Sequence, residues 1–366
     1  MKDERLDKLA GIVVNYSLNV NKNEPIIINS ETLKPKPLLK ALVKEIIKVG
    51  GIPFINVYDP ELKTYLSENN TIDRIKYIKK QLKYEVERYK GFINIKCNIN
   101  DYENKNISKE NIRILGEETK DINDVKINKR KWVLLNYPSE VDAYKAKMKI
   151  EEFFDYALDA MTYDYKKLKE KVKPLKELME KTDQVRITAP DTDLTFSIKK
   201  MNIIPCTGEK NIPDGEIYTA PIKDSVNGYI TYNTACPYQG NVFHNVKLTF
   251  KDGKIIEAAC DEDNQKLNDI FDTDEGSRYV GEFALGLNPK ITKPMGDILY
   301  DEKIIGSLHF TPGRAYKDSY NGNDSSIHWD MVLIQTKEYG GGNIYFDDVL
   351  IREDGIFILD ELKDLN

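Results

Sequence analysis

The sequence predicts an α/β N-terminal domain with a mainly parallel sheet, followed by a mixed α+β, β-rich C-terminal domain. In the first half, short apolar runs alternate with amphipathic helical patterns, an order typical of parallel strands covered by helices. In the second half, alternating segments are separated by Asp-Gly and Pro-Asp turns, which is typical of antiparallel strands. The composition changes near residue 182, so we place residues 1–182 in one domain and residues 183–366 in the other.

The N-terminal elements follow from the spacing of the apolar residues. A helical pattern ends at Gly50-Gly51, and the apolar runs on either side of that helix predict two strands. No G-x-G-x-x-G turn follows any predicted strand, so this domain is predicted to act as a scaffold or lid. The predicted helices cover residues 3–18, 36–49, 72–89 and most of 139–179, and the predicted strands cover 25–29, 52–57, 92–95 and 131–136.

The C-terminal elements follow from turn residues. Pro190-Asp191-Thr192-Asp193, Asp252-Gly253 and Asp354-Gly355 each separate short strand-like segments and predict hairpins. A helix is predicted at about 265–271. The apolar run at 332–334 predicts a strand that extends back through Ser325. On such a strand His328 and Asp330 would share one face.

Composition excludes several classes of protein. Of the 366 residues, 31% are charged and 40% are hydrophobic, and the net charge is only −6 with both signs mixed, so we expect no nucleic-acid partner. The charged start and the lack of a long apolar run predict a cytoplasmic protein with no membrane partner. The four cysteines lack metal-site spacing and are expected to be reduced thiols.

Acidic and imidazole side chains stand among small or apolar residues at several places in the C-terminal domain. An unpaired charge would be costly there, so each needs a cation or several donors nearby. Two divalent ions that share a carboxylate and a water need a set of carboxylates and imidazoles of this kind. The candidate ligands are Glu216, Glu282, His309, His328 and Asp330.

Each of these residues also has a simpler interpretation. Glu216 fits a turn-side carboxylate at the start of a strand, Glu282 fits a salt bridge to Arg278 or Arg314, and His309 fits a hydrogen-bonded core histidine. At this point both interpretations stand. His244 lies at the head of a predicted hairpin and is interpreted as a surface histidine.

Four motifs in a fixed order favour the metal interpretation. DGEIYTAP occupies 214–221, GEFALG occupies 281–286, His309 is followed seven residues later by Tyr316, and His328-x-Asp330 comes last. In this order the motifs resemble those of the aminopeptidase T / aminopeptidase S (PepS) family of metallopeptidases. The segment APDTDLTF at 189–196 also resembles the start of that family's catalytic domain, whereas the N-terminal half is similar only in layout and length.

The resemblance implies a metal-dependent aminopeptidase that removes N-terminal residues from peptides with a free N-terminus. It implies that the five candidate ligands bind two divalent ions (zinc, cobalt, manganese or magnesium), and that Glu216 or Glu282 acts as the proton acceptor. It further implies that Tyr316 lines the active site and that the protein is a homodimer. Two alternatives remain: a dimetal amidase or deacylase acting on a small non-peptide substrate, and a non-catalytic peptide-binding module.

Overall fold

The structure, a computed structural model, describes residues 3–100, 103 and 106–366. These residues form two compact units. The first comprises the chain up to Thr162 together with Gly208–Pro213, and the second comprises Tyr163–Thr207 and Asp214–Asn366. The predicted boundary near residue 182 falls inside the second unit, after its first two helices.

A parallel sheet is the centre of the first unit, as the continuous apolar runs predicted. Residues such as Ile27, Ile93 and Val133 are buried in it. The described strands of this sheet are β1 (Pro25–Ser30), β2 (Ile52–Val57), β3 (Gly91–Lys96), β4 (Lys131–Asn136) and β8 (Asn211–Ile212). Their order is β2-β1-β3-β4-β8, and every neighbouring pair is parallel.

Helices surround this sheet, and two of them were not predicted. The described helices are α1 (Glu4–Ile12), which continues as a π-helical turn (Val13–Ser17), α2 (Lys36–Lys48), α3 (Pro60–Glu68), α4 (Ile72–Arg88), α5 (Lys109–Lys129), α6 (Glu140–Lys145) and α7 (Ile150–Met161). The unpredicted α3 has no buried side chain, and α5 buries only Thr119 and Ile122, so neither has a wide apolar stripe. None of the described helices is both long enough and apolar enough to cross a membrane.

The second unit, which is described throughout, is rich in antiparallel strands. Its helices are α8 (Tyr165–Lys171), α9 (Lys173–Lys181), α10 (Asn264–Phe271) and α11 (Ile298–Asp301). Pro174 lies in the first turn of α9, where its missing N–H leaves no helical hydrogen bond unmade. The strands are β5 (Gln184–Ala189), β6 (Thr192–Ser197), β7 (Ile204–Cys206), β9 (Glu216–Thr219), β10 (Asn227–Thr231), β11 (Cys236–Tyr238), β12 (Asn241–Phe243), β13 (Lys247–Lys251), β14 (Lys254–Ala259), β15 (Val280–Gly286), β16 (Ser307–Pro312), β17 (Val332–Ile334), β18 (Asn343–Phe346), β19 (Val349–Glu353) and β20 (Ile356–Phe357).

These strands form three sheets within the second unit. One sheet has the order β14-β13-β10-β6-β5-β18-β19-β20, another has the order β17-β16-β15-β9-β7, and β11 and β12 form a separate ribbon. The three predicted hairpins are confirmed as β5-β6, β13-β14 and β19-β20. The turn of β13-β14 requires glycine, because Gly253 has a φ of 81° and an added Cβ would lie 1.9 Å from the Lys223 carbonyl oxygen.

Aromatic side chains pack the two larger sheets together. The Phe196 ring of β6 lies 5.0 Å from Phe283 of β15 and 5.1 Å from Phe310 of β16. These contacts bury one face of the β17-β16-β15-β9-β7 sheet in the core. Side chains that alternate with them on the same strands must therefore lie on its opposite face.

Candidate metal centre

The face opposite the aromatic core collects three predicted ligands from adjacent strands. Glu216 begins β9, Glu282 lies on β15 and His309 lies on β16. Ala284 pairs with His309, and Gly286 pairs with Glu216. Paired residues and residues two apart share a face, so all three ligands point to the same side. The small side chains of Ala284 and Gly286 leave space between them.

The segment that carries His328 and Asp330 differs from its prediction. Strand β17 begins only at Val332, whereas a strand from Ser325 onward was expected. Ser325 and Ser326 instead hydrogen-bond to the carboxylate of Asp274. A side chain, and not a neighbouring strand, therefore holds Ser325 and Ser326 in place. The side chains of His328 and Asp330 still point the same way, as predicted, because His328 Nε2 lies 3.1 Å from Asp330 Oδ1.

Trp329, between these two ligands, points into an aromatic cluster. Its ring stacks on Tyr238 at 4.8 Å and on Phe271 at 5.7 Å, and the residue is 2% exposed. Trp329 therefore faces away from His328 and Asp330, as alternation along a strand requires, even though β17 itself is short. The buried indole fixes the direction of the side chains on either side.

Glu282 lies between the two histidines. Its Oε1 is 3.1 Å from His309 Nε2, and its Oε2 is 3.5 Å from His328 Nε2. The alternative in which Arg278 neutralises Glu282 is wrong, because Arg278 pairs with Asp272. With Glu216 Oε2 at 3.7 Å from His309 Nε2, all five predicted ligands meet at one place.

Two hydrogen bonds orient the predicted ligands from outside. His328 Nδ1 lies 2.8 Å from the Arg314 carbonyl oxygen, which can only accept, so Nδ1 donates. When the ring is neutral, its Nε2 therefore presents a lone pair to the centre. The Thr311 hydroxyl donates to Asp330 Oδ1 at 2.8 Å. Thr311 is fully buried, so this bond is shielded from water.

Sequence reasoning missed Glu302 and Lys303, which follow α11. One ligand atom each from Glu216, Glu302 and His309 lie within 4.8 Å of one another. Lys303 is fully buried, hydrogen-bonds to Glu302 and places its Nζ 3.7 Å from Glu216 Oε1. Gly286 permits this approach, because an added Cβ would lie 2.2 Å from the Ile304 carbonyl oxygen.

The close packing of these groups changes their protonation. Burial raises the pKa of Glu216 to about 8. Burial alone would lower the pKa of His309, but the hydrogen bond to Glu282 and the charge of Glu216 outweigh it and raise this pKa to about 10. For Asp330, burial is outweighed by the His328 imidazole, which lowers the pKa of the carboxyl. The carboxylates of the centre thus compete for protons or for a cation.

Tyr316 borders the centre. Its ring lies 4.6 Å from that of His328 and 5.7 Å from that of Tyr218. The residue is 42% exposed, although protein atoms crowd it and burial raises its pKa well above the usual value. Because of this exposure, a ligand can reach the ring. His244 lies on the surface, paired with Glu262, as predicted.

Comparison with known proteins decides the family. Residues 2–357 match the family of thermophilic metalloproteases designated M29. The chain belongs to the M29 family. This agrees with the resemblance of the four motifs, and the M29 assignment covers both units.

Relatives of this M29 chain include aminopeptidases. It is 30% identical over 173 residues to aminopeptidase PepS of Streptococcus thermophilus, a match that covers 40% of this chain and 41% of the relative. It is 32% identical over 139 residues to aminopeptidase 2 of Geobacillus stearothermophilus, covering 34% of each. These matches therefore span about two fifths or less of the relatives' own lengths.

A solved structure shares the M29 chain's fold. Wild-type AmpT from Thermus thermophilus superposes with a TM-score of 0.80 at 17% sequence identity, and the match covers 97% of this chain and 99% of AmpT. The predicted fold class, a parallel-sheet α/β region followed by a β-rich part, is thus confirmed.

The residues of the centre fit the divalent ions that an M29 metalloprotease implies. Two triads, Glu216–Glu302–His309 and Glu282–His328–Asp330, each bring their ligand atoms within 4.8 Å of one another. Within the described residues, Glu216 Oε2, Glu282 Oε2 and His328 Nε2 are buried without a hydrogen-bond partner. Two carboxylates and one imidazole per triad are a donor set that suits zinc, cobalt and manganese.

Proposed function

We propose that this M29 metalloprotease is an aminopeptidase that binds two divalent ions and hydrolyses the N-terminal peptide bond. The position of Glu282, with one oxygen toward each histidine, carries the proposal. A carboxylate so placed suits a bridge between two ions, one in each triad. The names of the curated relatives support the aminopeptidase activity.

The ligand roles follow from the two triads. Glu216, Glu302 and His309 would hold one ion, His328 and Asp330 would hold the other, and Glu282 would contact both. When bound, divalent ions supply Lewis acidity toward a carbonyl oxygen and toward the attacking water. Zinc, cobalt and manganese suit this donor set, and magnesium suits it less well.

Three residues of the chain have proposed catalytic roles. Glu216 and Glu282 face the space between the triads, and one of these carboxylates would accept the proton of the attacking water and pass it to the leaving amine. Tyr316 is protonated at neutral pH, and its hydroxyl would donate to the oxyanion of the tetrahedral intermediate.

Hydrolysis of a matched pair of substrates tests the activity. We expect the protein to cleave an aminoacyl chromogenic substrate, to lose this activity with a chelator, and to bind two divalent ions by elemental analysis. The same substrate with an acetylated amine should resist cleavage. Equal cleavage of both would favour an amidase or deacylase, and no chelator-sensitive cleavage with no bound ion would favour a peptide-binding module.

We also propose a homodimer that forms through the N-terminal unit, as the family resemblance implies. The outer strand β2 supports a protein contact in that unit, because Ile52 and Ile55 are 45% and 44% exposed on it. Sedimentation that gave only monomer would contradict the dimer.

A cytoplasmic location stays a prediction, and cell fractionation would test it.

A further inference from the structure

One triad has a lysine beside it and the other does not. Lys303 is fully buried, hydrogen-bonds to Glu302 and lies 3.7 Å from Glu216. Within the described residues, Glu282 and Asp330 form ion pairs only with histidines. With all carboxylates ionised, Glu216, Glu302 and Lys303 together carry a formal charge of −1, and no ammonium of the described residues offsets Asp330 or the shared Glu282.

The backbone holds Lys303 in this place. Its carbonyl oxygen accepts from Asn288 N at 3.1 Å, and its own N–H donates to the Tyr300 carbonyl oxygen at 3.0 Å. The residue has no exposed surface, so the ammonium has no route to solvent without local unfolding. A buried ammonium also needs its carboxylate partners, because leaving it unpaired would be costly.

We propose that Lys303 is a built-in counter-cation that makes the two ion positions unequal. The Glu282–His328–Asp330 triad fills first and tightly, and the Glu216–Glu302–His309 triad fills second and weakly. The second ion meets the Lys303 charge at short range in a poorly solvated site, and this repulsion lowers its affinity. The inference rests on the metal-binding role proposed above.

Titration of the intact apoprotein with Co²⁺ tests the order of filling. We expect two phases, the second at least about tenfold weaker than the first. His309→Ala should keep the tight phase and lose the weak one, and His328→Ala should do the reverse. Two phases of equal affinity, or the opposite pattern in the variants, would overturn the inference. If the unaltered protein bound no Co²⁺, the proposed function itself would fail.

Lys303→Met then tests the role of the charge. Without Co²⁺ this variant should unfold at least about 3 °C lower, because Glu216 and Glu302 lose their counter-cation. Its second Co²⁺ should bind at least about tenfold more tightly, so that the two phases approach each other. Lys303→Arg retains the charge and should retain the unequal phases.

A matched control separates charge from general destabilisation. Arg278→Met removes another largely buried cation paired with a carboxylate of the same unit, and it should lower the unfolding temperature without changing either Co²⁺ phase. Folding of Lys303→Met only when Co²⁺ is present would support the inference, since the ion then replaces the ammonium. Failure to fold with excess Co²⁺, or a weakened second phase, would contradict it.

Discussion

In both units, polar side chains lie side by side across a sheet, but their hydrogen-bonding groups are satisfied differently. We call Asn29, Asn56 and Asn94 the amide row, and Glu216 and Glu282 the carboxylate row. In the first unit, Asn56 donates to Asn29 and Asn29 donates to Asn94, each at 3.3 Å. In the second unit, Glu216 and Glu282 each keep a buried oxygen without a hydrogen-bond partner among the described residues. Amides contain both donors and acceptors and can satisfy one another, whereas carboxylates cannot. The first row is therefore satisfied within the fold, whereas the second row leaves free acceptor oxygens that suit the proposed ions.

Removal of a histidine that contacts the carboxylate of Glu282 should have the largest effect. We expect His328→Ala to lower the turnover of an aminoacyl substrate by more than the roughly 10- to 100-fold typical of losing a group that only orients a metal ligand. His244→Ala is the matched control, because His244 is exposed and paired with Glu262. Equal losses in the two variants, with both folded by circular dichroism, would contradict the assignment of His328.

A hydroxyl behind the carboxylate row should matter next. Thr311→Val removes the donor to Asp330 Oδ1 with little change of volume. We expect the affinity for a divalent ion to fall by about 10- to 100-fold, measured by competition with a chelating dye. Thr195→Val, which removes an exposed hydroxyl from β6, should leave the affinity unchanged. An unchanged affinity in Thr311→Val would mean that this bond does not orient Asp330.

Asp274 is a carboxylate of the second unit whose oxygens are satisfied. Burial alone would raise its pKa, but hydrogen bonds from Ser326, Ser325 and Ser277 outweigh burial and hold the pKa well below the usual 3.8. A lowered folded-state pKa contributes stability above about pH 4, and this contribution is lost as the pH falls toward the folded-state value.

We expect Asp274→Asn to lower the free energy of unfolding by about 1–2 kcal/mol at pH 7, because hydrogen bonds to a charged acceptor are the stronger kind. The difference from the unaltered protein should shrink between pH 5 and pH 3 in urea titrations. A difference that grows as the pH falls would show that the carboxylate does not stabilise the fold.

The smallest effect is expected in the amide row. Asn29→Ala removes the acceptor of one Asn56 hydrogen bond and the donor of one hydrogen bond to Asn94, whose Oδ1 still accepts from Lys126 at 3.5 Å. The site is only half buried. Stability should fall by about 1 kcal/mol in urea denaturation. Bound metal per chain should not change. A loss of metal from this variant would break the distinction between the two rows.

Much of the fold could be predicted because its local signals are strong. Asp252-Gly253 needs left-handed backbone, and β1 and β3 are mainly apolar, so a hairpin and a parallel sheet followed directly. The helix α5 gave no such signal, because it lacks a wide apolar stripe and buries only Thr119 and Ile122. The segment before β17 was predicted as strand from its side chains, but Asp274 supplies hydrogen bonds that no strand pattern could reveal.

The structure brings the five predicted ligands together and places beside them Glu302, which was not predicted. Each predicted ligand stands in a motif or near a scarce histidine, whereas Asp301-Glu302-Lys303 looks like a polar turn after a short helix. A signal was present, since apolar residues flank this charged triplet on both sides, as they do Glu282. Glu302 reaches His309 because the backbone at Ile304 packs closely against Gly286. This is a tertiary contact, which the sequence does not reveal.

The stacked indole of Trp329 has a further consequence for the entropy of ion binding. His328 and Asp330 flank a side chain held between Tyr238 and Phe271, so their backbone is ordered when the chain folds. An arriving ion then restricts few additional bond rotations at this triad. Loosening the aromatic stack should therefore weaken ion binding through disorder of the free protein, with every coordinating atom still present.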